Sequence, residues 1–362
     1  MLPLKMKRNR VWRLYYGGRL IDEMRGEAEP TDGSFPEDWL ASVVRADNPD
    51  RPGKPADEGL SVIDGGSYDG RFLRDVILSD PVRMLGEKHI ERLGSGFGVL
   101  TKFLDSSERL PVQCHPTKET AKRLFDSEYG KTESWYILGG RAIDGEEPHI
   151  LLGFKDKLTK PELKKLFDEQ DIDAVMAHMN KIPVRAGDVF LIKGGMPHAI
   201  GPGCFLLEVQ EPTDYTISLE KRDLRGNLMP DHLCHMGLGF DRMFDCFDYD
   251  VYPAERVISE FRLNKNSGRQ TGGNRFERLI SYEDTPCFAL DRLTLREEFT
   301  READGRASCI AVSHGECRLT DGEESLHLRP GDCLFEPAGR GGYKFVPITD
   351  EAEILFCLPP EI

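Results

Sequence analysis

Two stretches, Gly187-Asp188-Val189-Phe190-Leu191-Ile192-Lys193-Gly194-Gly195-Met196-Pro197-His198 and Gly331-Asp332-Cys333-Leu334-Phe335-Glu336-Pro337-Ala338-Gly339-Arg340-Gly341-Gly342, repeat one pattern. Each opens on a Gly-Asp pair. Glycine accepts a positive φ, and a short acidic side chain bonds to nearby backbone N–H groups, so the pair reads as a tight turn. Each then continues as a short apolar run of the kind a buried strand needs and reaches a second turn, with Gly195 and Gly339 aligned. The copies differ at their last position, where His198 faces Gly342.

Working outward, short strand-like runs surround both copies. Before and around the first they are Phe97–Leu104, Leu110–Cys114, Trp135–Leu138, His149–Phe154, Asp188–Lys193, Phe205–Gln210 and Asp214–Leu219. Around the second they are Arg256–Asn264, Phe288–Leu295, Ser308–Ser313, Glu316–Thr320, Ser325–Leu328, Asp332–Glu336 and Ala352–Leu358. Many short strands separated by turn signals indicate a sandwich or barrel. The repeated unit resembles the second signature of the cupin barrel, a small double-sheet jelly roll. The expected fold is therefore mainly β, with two cupin-type jelly-roll barrels and a small helical insertion. Residues 1–250 are expected to form a catalytic unit and residues 251–362 a degenerate second one.

The insertion is expected near 159–180. Thr159 and Glu162 form a capping box, and Leu163, Leu166 and Phe167 share one helical face. Ile172, Val175, Met176 and Met179 continue at helical spacing. A further helix is expected over 71–83, and residues 25–70 read as irregular connections around an element near Trp39–Arg45.

Gln113 and His115 stand two apart on an expected strand, so both side chains point to one face. Glu133 opens the next strand, and His198 ends the first repeat copy. One amide oxygen, two imidazoles and one carboxylate suit Zn²⁺ with room for a further oxygen, and Fe²⁺, Mn²⁺ or Co²⁺ also fit such a set. Upstream of the second copy His314 stands alone, so that unit is expected to be structural. The isolated His89, His149, His178, His232, His235 and His327 read as surface polar residues.

Bulk properties narrow the function. The 362 residues carry a formal net charge of -15, which disfavours nucleic acid and anionic membranes as partners. The segment Met1–Arg13 lacks the apolar run of a secretory signal, and no stretch approaches the length of a membrane span. The nine cysteines lack CxxC spacing and read as reduced, buried thiols, with Cys309, Cys333 and Cys357 among apolar neighbours. A cytoplasmic protein is expected.

Four further segments carry a family resemblance: "PVRMLGE" (81–87), "LTKFLDSSERLPVQCHP" (100–116), "GKTESWYIL" (130–138) and "VRAGDVFLIKGGMPHAIGPGCFLLEVQ" (184–210). The chain resembles class I mannose-6-phosphate isomerases along most of its length. The resemblance implies one metal, usually zinc, on Gln113, His115, Glu133 and His198. It implies a sugar phosphate as the small-molecule partner, with mannose 6-phosphate and fructose 6-phosphate interconverted through a cis-enediol. Lys131 matches a lysine beside the metal-binding glutamate, and Asp214 matches the acidic residue of the loop after the barrel. The family carries an arginine four residues beyond that aspartate, where this chain has Ser218. A serine cannot supply a guanidinium fork, so Arg222, or its neighbour Arg225, is the expected replacement from a shifted loop. The same departure motivates two alternatives: a non-catalytic sugar-binding or sensing cupin, and an isomerase for a different sugar. Lys118, Lys122 and Arg123 are candidates for phosphate capture.

Overall fold

In the computed structural model, which describes residues 2–48, 51, 53–263 and 268–362, the repeated unit is the same turn twice. Gly187 and Gly331 have φ of 90° and 85°. Asp188 Oδ2 accepts from the Arg185 N–H at 3.0 Å, and Asp332 Oδ2 accepts from the Arg329 N–H at 2.9 Å. The strands that follow, Val189–Ile192 and Cys333–Glu336, start at the same offset. They belong to different sheets.

The chain is mainly β and forms four antiparallel sheets. A six-stranded sheet runs in the order Arg10–Val11, Glu37–Leu40, Leu100–Asp105, Cys204–Gln210, Glu133–Gly140, Val189–Ile192. A five-stranded sheet runs Ile217–Ser218, Gln113–Cys114, His198–Ile200, His149–Phe154, Met179–Pro183. After residue 267 the strands build a seven-stranded and a four-stranded sheet, and the N-terminal strand Leu4–Lys5 joins the seven-stranded one beside Cys333–Glu336.

The six-stranded sheet is covered on both faces, which explains its apolar runs. All seven residues of Cys204–Gln210 are buried, as in a strand that sees no solvent on either side. Leu207, Val209, Phe103 and Leu191 pack outward against Leu290, Cys309, Phe335 and Leu355 of the seven-stranded sheet. Leu206, Leu104, Ile137 and Trp135 face inward with Ile150, Leu152 and Ile200 of the five-stranded sheet. A separate core, including Leu319, Phe345 and Phe356, fills the space between the seven- and four-stranded sheets.

The helical insertion is Lys160–Glu169 and Ile172–Ala177, with the Thr159–Glu162 capping box in place. Leu163, Phe167 and Val175 pack under Met243 and Phe244. The expected helix over 71–83 is divided into Leu73–Ser79 and Pro81–Leu85, because proline cannot donate within a helix and its predecessor is pushed to extended backbone.

Several expectations need correcting. Arg256–Asn264 is not a strand. Residues Ala254–Phe261 form a helix after Pro253, burying Val257 and Phe261 four residues apart, and Asn264 lies outside the described residues, as do Pro49, Asp50 and Pro52 of the 25–70 region. Met179 starts the strand Met179–Pro183 and does not continue the helical stripe. Strand structure in Asp214–Leu219 and Leu110–Cys114 is confined to Ile217–Ser218 and Gln113–Cys114. His89 and His149 are buried; His89 Nε2 meets the Gly96 carbonyl at 2.7 Å and His149 Nδ1 the Glu147 carbonyl at 3.0 Å. The nine cysteines are free and buried as expected. Among the described residues no helix is long and apolar enough to cross a membrane.

The doubly covered sheet yields a stability prediction. Phe103 is 0% exposed, and Phe103→Ala should lower the free energy of unfolding in urea by about 3–5 kcal/mol. Val82→Ala, at a side chain 53% exposed, should change it by less than about 0.5 kcal/mol.

Candidate metal centre and substrate pocket

The candidate ligands come from two facing sheets. On the five-stranded sheet His198 is paired with Gln113, and Gln113 with Ser218, so these three side chains form one row across neighbouring strands. His115 follows two residues after Gln113 on the same face. From the six-stranded sheet opposite, Glu133 points in from the first position of Glu133–Gly140. The turn between the repeat strand and His198 holds the centre together. Gly195, with φ 88°, donates its N–H to the His115 carbonyl at 2.6 Å. A Cβ on Gly194 would stand 2.8 Å from Thr117 Cα, so only glycine lets these two backbones meet.

One ligand atom from each of His115, Glu133 and His198 lies within 4.8 Å of the others, and all three residues are buried. His115 Nε2 is 3.1 Å from Glu133 Oε2, and His198 Nε2 is 3.4 Å from Glu133 Oε1. His198 Nδ1 meets the Met196 carbonyl at 2.9 Å. That bond fixes the proton on Nδ1 and leaves the Nε2 lone pair aimed inward, as metal-binding imidazoles require. Gln113 Nε2 lies 3.4 Å from His198 Nε2, and a half-turn of this near-symmetric amide presents oxygen to the same point.

The protonation states suit a cation. Burial, aided by the Lys131 ammonium, lowers His115 to about 3. Burial likewise lowers His198, so both rings are neutral at pH 7. Burial alone would raise Glu133, yet Lys131 and the two imidazoles hold it well below the usual carboxylate range. A buried carboxylate between two neutral nitrogen donors is a hard-to-intermediate donor set that fits a divalent ion. Lys131 is buried beside them, with Nζ 2.9 Å from His115 Nε2 and 3.4 Å from Glu133 Oε2. Among the described residues this is the one cluster of three or more His, Cys, Asp or Glu with metal-site spacing.

The centre opens into a pocket. Gln113, Glu133, Lys131, Asp214 and Ser218 line it. Four further lining residues were not singled out from the sequence: Arg13, Glu37, Lys102 and Glu208. Lys102 and Glu208 are directly opposite each other in register, and Lys102 Nζ donates to Glu208 Oε1 at 3.2 Å. Burial pushes Glu208 up to about 7, against the pull of Lys102. Glu37 accepts from the Tyr15 hydroxyl and from Trp39 Nε1, each at 2.6 Å, and pairs with Arg13 Nε at 3.0 Å. Arg13 and Lys102 hold it well below the usual range despite its burial. The signal for Lys102 and Glu208 is a charged side chain in the middle of a strand that is buried throughout, LTKFLD and CFLLEVQ. Arg13 comes from an irregular segment and had no such signal.

Asp214 lies in the pocket, but its oxygens are committed. They accept from Arg13 Nη2 at 3.0 and 3.1 Å and from the Asp47 N–H at 2.8 Å. Arg222 is not brought to the site. It is exposed, and its Nη1 donates to the Gly226 carbonyl at 2.8 Å within its own hairpin. Arg225 turns to Glu108 at 2.7 Å. Short Asp223 and Asn227 contacts close that loop on itself, so it does not shift inward. Lys118 and Lys122 pair with Glu211 and Glu128 at 3.6 and 2.6 Å and do not line the pocket.

Residues 59–134 match the family model for phosphomannose isomerase type I, catalytic domain, a segment that contains Gln113, His115, Lys131 and Glu133. The mannose-6-phosphate isomerase of Streptococcus mutans is 29% identical over 285 residues, covering 77% of this chain and 79% of that protein. The crystal structure of a mannose 6-phosphate isomerase from Bacillus subtilis superposes with a TM-score of 0.75, at 19% identity and 99% coverage of each chain. A zinc-bound mannose 6-phosphate isomerase superposes with a TM-score of 0.72, at 16% identity and 99% coverage of each chain. Related in sequence over three quarters of its length and in fold over nearly all of it, the chain is similar to mannose-6-phosphate isomerases.

Proposed function

We propose that the chain is a metal-dependent aldose–ketose isomerase that interconverts mannose 6-phosphate and fructose 6-phosphate. The observation that carries this is the convergence of His115, Glu133 and His198, as two neutral imidazoles and a carboxylate, at the floor of a pocket that also holds a buried carboxyl near neutrality. Gln113 is the fourth ligand in this reading. Zinc is the expected ion, and the zinc-bound neighbour and the donor chemistry both favour it. Held by these residues, such an ion would supply Lewis-acid polarisation of a substrate oxygen.

The remaining chemistry belongs to side chains. Isomerisation moves one proton between adjacent carbons, so a group that is half protonated near neutral pH is best placed to carry it. Glu208 has that property. Lys102, held against Glu208 and Glu37, keeps its charge, since burial is outweighed by the two carboxylates. Lys131 supplies a positive charge at the ligand face, where it steadies an oxygen that gains negative charge. Asp214 acts by holding Arg13 in place.

The two pairs of sheets are read as two cupin-type jelly-roll barrels. Residues 1–250 form the catalytic unit, with the helical insertion near 159–180, and residues 251–362 form a ligand-free second unit. The matched Asp188 and Asp332 turns support this, and the strand Leu4–Lys5 then ties the N-terminus to the second unit. A net charge of -15 favours a small-molecule partner over nucleic acid, and nine free buried thiols favour the cytoplasm.

Two outcomes test the reading. With one equivalent of zinc the purified chain should convert mannose 6-phosphate to fructose 6-phosphate. Chelation, or Glu133→Gln with its metal content measured alongside, should cost more than the roughly 10–100-fold typical of losing an outer-shell partner. No fructose 6-phosphate at saturating zinc would contradict the proposal. Because ionised Glu208 accepts the proton, kcat/KM should rise with pH through about 7, or lower once a cation is bound nearby. Glu208→Gln should lower kcat by about 10²–10⁴-fold and remove that rising limb. An unchanged limb in the variant would assign the titration to another group.

A further inference from the structure

The pocket contains one guanidinium among its described lining residues, and it does not come from the strands that carry the ligands. Arg13 reaches in from the irregular segment after Arg10–Val11. Its position is set on every side. Nε pairs with Glu37 Oε1 at 3.0 Å, Nη1 donates to Asn48 Oδ1 at 3.2 Å, and Nη2 spans both Asp214 oxygens at 3.0 and 3.1 Å. The guanidinium carbon lies 5.1 Å from the Trp39 ring centroid. These four contacts leave one of the five guanidinium N–H donors uncommitted. The side chain retains 12% exposure, and this exposure opens on the pocket that also contains Glu208 and Lys131.

We infer that Arg13 is a substrate-contacting catalytic residue that donates its remaining N–H to a sugar oxygen. This rests on the isomerase reading above. A rigid cation costs no reorganisation when an oxygen gains negative charge, and an N–H in a buried pocket is worth far more than one in water. Charge balance decides which end of the substrate it meets. Asp214 and Glu37 already neutralise Arg13, so it offers a directed hydrogen bond and little net attraction for a dianion. The phosphate end of the substrate is therefore bound elsewhere. Ser218 sits across from Gln113 on another wall of the same pocket and keeps its hydroxyl on Glu220, 3.2 Å from the carbonyl oxygen. An arginine at position 218 would bring a guanidinium to this pocket from a second direction.

The test uses the zinc-loaded full chain, Arg13→Lys, Arg13→Ala, and Arg13→Ala combined with Ser218→Arg, with metal content and thermal unfolding measured for each. Arg13→Lys and Arg13→Ala should bind one metal as the parent does. Their kcat on mannose 6-phosphate should fall by about 100-fold or more, with KM within about threefold, the pattern of an interaction made in the transition state. Adding Ser218→Arg to Arg13→Ala should recover about tenfold of kcat or more. Where Arg13→Ala does not fold, Arg13→Lys, which keeps a charge beside Glu37 and Asp214, carries the test. A kcat within about threefold of the parent, or a raised KM with unchanged kcat, would overturn the inference; the second result would assign Arg13 to phosphate binding. If the parent itself does not turn over, the isomerase reading fails separately. Arg13 is then judged by a hydroxamate analogue of the sugar phosphate, a mimic of the enediolate, which should raise the melting temperature of the parent by more than that of Arg13→Lys. Equal shifts, or none in either protein, would overturn the contact.

Discussion

A carboxylate that is buried and yet ionised dominates this structure. Glu133 has a side-chain exposure of 3%, and taking a charge out of water costs several kcal/mol unless it is paired. Its partners are Lys131 and two imidazoles whose own burial keeps them neutral. Neutral rings cannot balance a charge, but they can ligate. The arrangement therefore makes best physical sense as a cation site, and the fold is organised to keep its pieces in place. The repeat turn at Gly195 is bonded to His115, the Met196 carbonyl fixes the tautomer of His198, and the Trp135 ring packs edge-on to His198 at 5.6 Å.

The same constraint explains why the six-stranded sheet is covered on both faces. Its inner face carries a row of charges, with Lys102 opposite Glu208 and Trp39 next to Lys102 in register. Such a row persists only where each charge finds a partner and the backbone around it is rigid. The outer face is mostly apolar and is clamped by the seven-stranded sheet, to which the Tyr136 hydroxyl also bonds through Glu353. The C-terminal strands therefore pack behind the strands that present Lys102, Glu133 and Glu208.

The legible part of the site was the part written at fixed spacing. Gln113 and His115 are two apart on a strand, and His198 closes a glycine-framed turn, so alternation and turn chemistry were enough to bring them together. The β architecture and the capped insertion were legible for the same reason. Short segments with mixed signals were not. Arg256–Asn264 reads as a strand from its β-branched and aromatic residues, while the burial of Val257 and Phe261 on one helical face makes Ala254–Phe261 a helix. Arg222 is the first arginine downstream of Ser218 in the sequence, but the Arg222–Leu228 bridge turns it to solvent. Arg13 stands about 200 residues from its partner Asp214, and no local pattern encodes a contact of that kind.

Against the centre at His115, Glu133 and His198, nine buried thiols offer zinc an obvious competing environment. X-ray absorption at the zinc edge on the protein loaded with one equivalent decides between them. The expected result is a shell of nitrogen and oxygen alone at about 2.0–2.2 Å, with two imidazole scattering patterns that fall to one in His198→Ala. A sulfur contribution at about 2.3 Å, or a spectrum unchanged by that substitution, would contradict it.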